Sequence, residues 1–125
     1  MFVDPEPVRI TLPGQEHLSD AETDAMYIKL KMDFGTRQKV MAAGVQMSKD
    51  AGAAVGDGVN MAIDIGSYQT AQLIHNIVRW AGPSFGDTPL TPENILRLDP
   101  DEPLVALVLR EIAQRNTKKA SPDPK

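Results

Sequence analysis

The alternation of apolar and polar side chains is clearest in two short stretches near the start of the chain. Val8-Arg-Ile-Thr-Leu12 alternates and then stops at Pro13-Gly14, the signature of a half-buried strand running into a turn. In Met26-Tyr-Ile-Lys-Leu-Lys-Met32, the side chains of Met26, Ile28, Leu30 and Met32 share one face, against Tyr27, Lys29 and Lys31 on the other. This predicts a second strand. Asp33 or Thr36 can cap a helix through Met47, with Val40, Met41, Gly44, Val45 and Met47 along one side. Lys49 to Gly58 carries three glycines among small residues and is expected to be a flexible loop, spanning 48–58 at its widest. Val59 to Ile65 alternates again and predicts a third strand, broken by Gly66-Ser67.

From Tyr68 to Ala81 the apolar positions Ala71, Ile74, Ile77, Val78 and Ala81 recur at three and four residues, which predicts a helix ending at Gly82-Pro83. Thr91-Pro92-Glu93 is a helix start: a side-chain acceptor, a proline whose missing N–H costs nothing there, and an acid at the positive end. That short helix should run to Leu98. Asp99-Pro-Asp-Glu-Pro103 repeats the same chemistry and opens a last helix carrying Leu104, Val105, Val108, Leu109 and Ile112 and ending near Asn116. The expected class is α+β, mainly helical. A small N-terminal β-sheet or hairpin would have three to four C-terminal helices packed on it. Residues 1–116 would make one compact domain with a partly irregular segment over 1–25, and 117–125, polar and proline-bearing, would be a disordered tail.

Composition narrows the chemistry. Aromatics are only 5% of the residues, so the core must rest on aliphatic, Ala and Met side chains. Thirteen basic against 17 acidic residues leave a net charge of -4, which gives phosphate backbones no general attraction and argues against nucleic acid as a partner. The absence of cysteine excludes disulfides, thiolate metal sites and cysteine nucleophiles, and fits a cytoplasm. Met1-Phe-Val-Asp-Pro-Glu6 carries acid where a signal peptide needs a basic start, and no run approaches the about 20 apolar residues of a membrane span, so no membrane role is expected.

Each candidate for chemistry has a plainer account. Gly52, Gly56 and Gly58 lack the strand–loop–helix order and the closing lysine of a phosphate-binding loop, and a connector explains them. Asp99, Asp101 and Glu102 are too close together for a calcium loop, which spreads its oxygens over about a dozen residues, and helix capping accounts for them. Asp57 and Asp64 face opposite ways and are expected to be solvated. His17 and His75 are far apart and sit in no metal-binding spacing. An enzyme would need a site assembled from distant carboxylates and His75, and no catalytic, cofactor or metal site is expected. The six methionines fill an aliphatic core or, alternatively, an adaptable binding groove. Trp80 and Phe85 flank a chain break, where they either anchor the loop or form a partner hot spot.

Three segments occur in an order that resembles tail assembly chaperones of siphophages infecting Gram-positive bacteria: Asp33-Phe-Gly-Thr-Arg-Gln-Lys-Val-Met-Ala-Ala43, Tyr68 to Trp80, and Thr91-Pro-Glu-Asn-Ile-Leu-Arg-Leu-Asp-Pro100. That family is laid out as a Tyr-Ile-Lys-Leu strand, a Gly-x-Arg-Gln helix start, a variable acidic loop, a helix ending in Trp, a short Thr-x-Glu-x-Ile-x-x-Leu helix and a last amphipathic helix. Residues 26 to 116 follow it, and the Ala/Gly-rich loop departs from the acidic linker. The resemblance implies a bacteriophage protein of the host cytoplasm, absent from the mature virion, that catalyses nothing. Its role would be to keep the tape measure protein soluble during tail tube polymerisation. The tail tube protein and self-association are further partners it implies. The candidate partner contacts are Ile77, Trp80, Phe85, Ile95 and Leu98. The alternative is a structural phage protein of the virion, such as a head-tail connector or a tail accessory subunit.

Overall fold

The computed structural model describes residues 1–52 and 65–117. Within them the chain runs β1 (Val8–Ile10), β2 (Ala25–Ile28), α1 (Phe34–Gly52), α2 (Ile65–Asn76), β3 (Ile77–Ala81), α3 (Pro92–Ile95) and α4 (Pro103–Asn116). It is a small α+β fold whose antiparallel sheet has the order β1-β2-β3. Sheet and helices share one cluster of buried side chains, centred on Met26, Ile28, Val40, Val108 and Ile112.

Both N-terminal strands are shorter than their alternation predicts. β1 ends at Ile10, and Leu12 instead accepts the Gln15 N–H across the Pro13-Gly14 turn, where Gly14 adopts a φ of 87°. β2 ends at Ile28 because its continuation bonds elsewhere: the Lys29 N–H donates to the Asn76 carbonyl and the Met32 N–H to Asn116 Oδ1. Met26, Ile28 and Met32 are buried as expected, whereas Leu30 is exposed.

Helix α1 begins where its cap predicts, with Asp33 Oδ1 accepting the Thr36 N–H at 2.8 Å. It runs on to Gly52, so the first residues of the expected loop, from Lys49, are its last turn. Val40 is fully buried, but Met41, expected on the same side, points to solvent.

The largest correction concerns the middle of the chain. Of the expected third strand, residues 59–64 lie outside the described residues, as do 53–58 of the glycine-rich stretch, and Ile65 opens α2. Gly66-Ser67 is part of that helix and does not break the chain. At the other end, the helix predicted to reach Ala81 stops at Asn76, and Ile77–Ala81 is the third strand.

A β-bulge explains the misreading. Tyr27 pairs with Arg79 and Ile28 with Ile77, so Val78 is an extra residue with no partner of its own. This puts Ile77 (5% exposed) and Trp80 (8%) on the inner face three positions apart and leaves Val78 (45%) outside. Spacing by three within a strand imitates one turn of helix. Asn76 makes the transition. Its side-chain Nδ2 donates back to the Gln72 carbonyl at 2.8 Å, while its own carbonyl already accepts the N–H of Lys29, the residue after β2.

The C-terminal elements keep closer to expectation. Thr91 caps α3 by accepting the Asn94 N–H at 3.1 Å with Pro92 in the first position. The α-helix is one turn long, and Leu98 is reached through tighter bonds, Arg97 N–H to the Asn94 carbonyl and Leu98 N–H to the Ile95 carbonyl. α4 buries Leu104, Val105, Val108 and Ile112, with Leu109 partly buried, and ends at Asn116. Glu102 holds its cap position without a side-chain bond. Asp99 instead accepts the Asp101 N–H, closing the turn ahead of the helix. Residues of the expected tail from 118 onward lie outside the described residues.

Candidate partner-binding surface

The five residues singled out as partner contacts divide by position. Ile77, Ile95 and Trp80 are buried in the core. Phe85 and Leu98 are partly buried at the edge of that core.

Trp80 and Phe85 brace the loop between β3 and α3. Their rings stack with centroids 4.7 Å apart and planes 11° from parallel, and Trp80 Nε1 donates to the Thr88 carbonyl at 2.9 Å. The near end of the loop is fixed by Gly82, whose φ of 134° and close approach to Asp24 leave no room for a Cβ. Asp24 Oδ1 accepts the Ser84 N–H at 2.9 Å, and the Gly82 carbonyl accepts both the Phe85 and Gly86 N–H groups. Asn94 Nδ2 holds the far end through the Pro89 carbonyl.

Beneath this loop opens a groove of about 260 Å³. Its floor is apolar, from Met26, Trp80, Phe85, Leu98, Leu104 and Val105. Its rim is polar and carries Asp24, Asp99 and Glu102 with one cation, Arg97. A second depression of about 260 Å³ has Asp24, Glu102 and Leu104 in common with it and is also lined by Leu12, Pro83 and Glu22. These side chains come from four separate parts of the sequence. Trp80, Phe85 and Leu98 were expected at a partner surface, whereas Asp99 and Glu102 stood out only as capping residues.

The outer face of the sheet carries a polar row that sequence reasoning did not find. Arg9, Tyr27 and Arg79 stand side by side in register, and Asp20 of the β1–β2 loop bonds across them. Arg9 Nε donates to Asp20 Oδ1 at 3.0 Å, the Tyr27 hydroxyl donates to Asp20 Oδ2 at 2.8 Å, and the Arg79 guanidinium lies 3.9 Å over the Tyr27 ring. The Tyr27 hydrogen bond, and then Arg9 and Arg79, hold the Asp20 carboxyl below the usual carboxylate range. The other Arg9 nitrogens donate to the Glu16 and Leu18 carbonyls, so the row pins the loop to the sheet. Arg9 and Tyr27 were visible as outward positions. Asp20 lay in an unpatterned stretch and Arg79 in a supposed helix.

His75 is partly buried, and the charges acting on it come from Lys39 and Lys29. Burial first, then these two cations, push its pKa below the ordinary histidine value. Among the described residues no three His, Asp or Glu side chains converge in a way that would hold a metal, and no helix is long and apolar enough to cross a membrane.

No protein-family model, curated protein or solved structure matches this chain.

Proposed function

We propose that the protein is a non-enzymatic tail assembly chaperone of a siphophage, which binds the tape measure protein and keeps it soluble while the tail tube polymerises. The observation that carries this reading is where the large apolar side chains left outside the core lie. Phe34 (80% exposed) and Met41 lie two turns apart on the same outer face of α1, Ile65 (67%) begins α2, and Leu96 follows α3. Exposed apolar side chains of this size suit a protein that shields another chain's hydrophobic surface. The order of elements adds support: a strand at Ala25–Ile28, a helix entered through Gly35-Thr-Arg-Gln38, the Thr91-capped helix and a final amphipathic helix follow the family layout. Trp80 keeps its place in that order but lies in a strand.

Co-expression with the product of the long helical reading frame that follows a tail tube gene tests the proposal. The long protein should stay in the soluble fraction and co-purify with this chain. Precipitation of that protein in equal amounts with and without the chaperone would refute the reading. Recovery of this chain at fixed stoichiometry in purified virions would favour a structural subunit instead.

A further inference from the structure

We propose that the trough between the loop after β3 and the N-terminus of α4 is the docking site for a peptide segment presenting an apolar side chain between lysine or arginine residues. The inference rests on the partner-binding reading above and gives that partner a chemistry.

The size and floor of the trough select the kind of occupant. Each depression holds about 260 Å³, below the roughly 300–1,000 Å³ typical of small-molecule sites. Asp24, Glu102 and Leu104 stand in the walls of both depressions, so neighbouring side chains of one bound segment would reach both. The partly buried Phe85 and Leu98, backed by Trp80 and Leu104, give that segment an apolar floor.

The rim selects its charge. Glu22, Asp24, Asp99 and Glu102 surround the trough, and the only cation among the lining residues is Arg97, which donates to Asn94 Oδ1. The ion pairs among the described residues join Arg9 and Arg79 to Asp20 and Arg115 to Glu111, so none involves a trough carboxylate. Glu22, Asp24 and Asp99 each accept a backbone N–H through one oxygen, which leaves the second oxygen for an incoming donor. Glu102 stands at the helix cap without a capping bond. A cationic segment would meet four carboxylates beside an apolar floor, an arrangement that steers encounter and fixes register.

The test uses two synthetic peptides of equal length, one with leucines at helical spacing and lysines elsewhere, the other with glutamates replacing the lysines. Trp80 is the chain's single tryptophan, so its emission reports on the trough directly. The lysine peptide should shift that emission and move the amide resonances of Asp24, Phe85, Leu98 and Glu102. Its affinity should fall about tenfold or more in Glu102→Lys and on raising the salt. Glu102→Lys removes no capping bond, and Glu102→Gln provides a milder second variant. Equal binding of both peptides, unchanged affinity in both variants, or perturbations confined to the Phe34 and Met41 face would overturn the proposal. So would an emission shift that depends on protein concentration alone, which would make a second copy the occupant. If Glu102→Lys keeps the tape measure protein as soluble as the wild type does, the trough is wrong and the chaperone reading survives. If the wild type fails that assay but binds the lysine peptide through the trough, the reverse holds.

Discussion

Helices α1 and α4 are the longest among the described residues, and they are held in different ways. α4 drives Leu104, Val105, Val108 and Ile112 into the shared core and lies against β2 and α2. Its last residue ties two other segments to it: Asn116 Oδ1 accepts the Met32 N–H and the Asn116 carbonyl accepts Arg37 Nη2. α1 packs alongside α2, contributes Val40 to the core, and turns Phe34 and Met41 outward. Both helices are rich in apolar residues, so apolar content alone does not tell a structural helix from one with a surface to offer. What separates them is whether the apolar positions close on one stripe, as in α4, or also appear on the far side, as in α1.

Ile112→Ala should most strongly mark α4 as the structural member. It leaves a cavity in the centre of the core and should cost about 2–5 kcal/mol in denaturant unfolding. Gly82→Ala should come next, at about 1–3 kcal/mol, because the added methyl meets Asp24 at a φ that side chains avoid. Its emission spectrum should also show Trp80 losing its packing against Phe85. Thr91→Ala removes the cap of α3 and should cost about 1 kcal/mol.

Asp20→Asn should have a smaller, pH-dependent effect. Because the folded protein lowers the Asp20 pKa from its ordinary 3.8, the carboxylate stabilises the fold above that value. That contribution fades as pH falls through the lowered pKa. The stability gap between wild type and Asp20→Asn should therefore be full near neutrality and close in strong acid, as acid titrations of unfolding midpoints would show. Last, Phe34→Ser with Met41→Ser should change stability by no more than about 0.5 kcal/mol. A loss comparable to Ile112→Ala would collapse the contrast between the two helices.

The parts legible in the sequence were those whose cause is local. The Thr91-Pro92-Glu93 start, the Asp33 cap and the α4 stripe each depend on residues within one or two turns, and each was found where expected. The strand at Ile77–Ala81 was hidden because its bulge copies helical spacing, and only pairing with Tyr27 and Ile28 reveals it. Met41 was misplaced because a broad apolar stripe on α1 does not say which edge faces the core. The trough was readable only in part: Trp80, Phe85 and Leu98 were expected at a partner surface, but Asp24, Arg97 and Glu102 join them only when the chain folds, and no spacing along the sequence announces that.

The extra residue at Val78 also bears on how the protein behaves when crowded. A flat, regular outer strand offers its backbone as a template on which further chains can be added without limit. Here β3 is kinked midway by the unpaired residue and carries Arg79 beside it, while β1 is three residues long between Pro7 and Pro13. Neither side of the sheet is suited to such growth. Among the described residues, the exposed Phe34 and Ile65 are therefore not accompanied by a strand edge that would seed fibres.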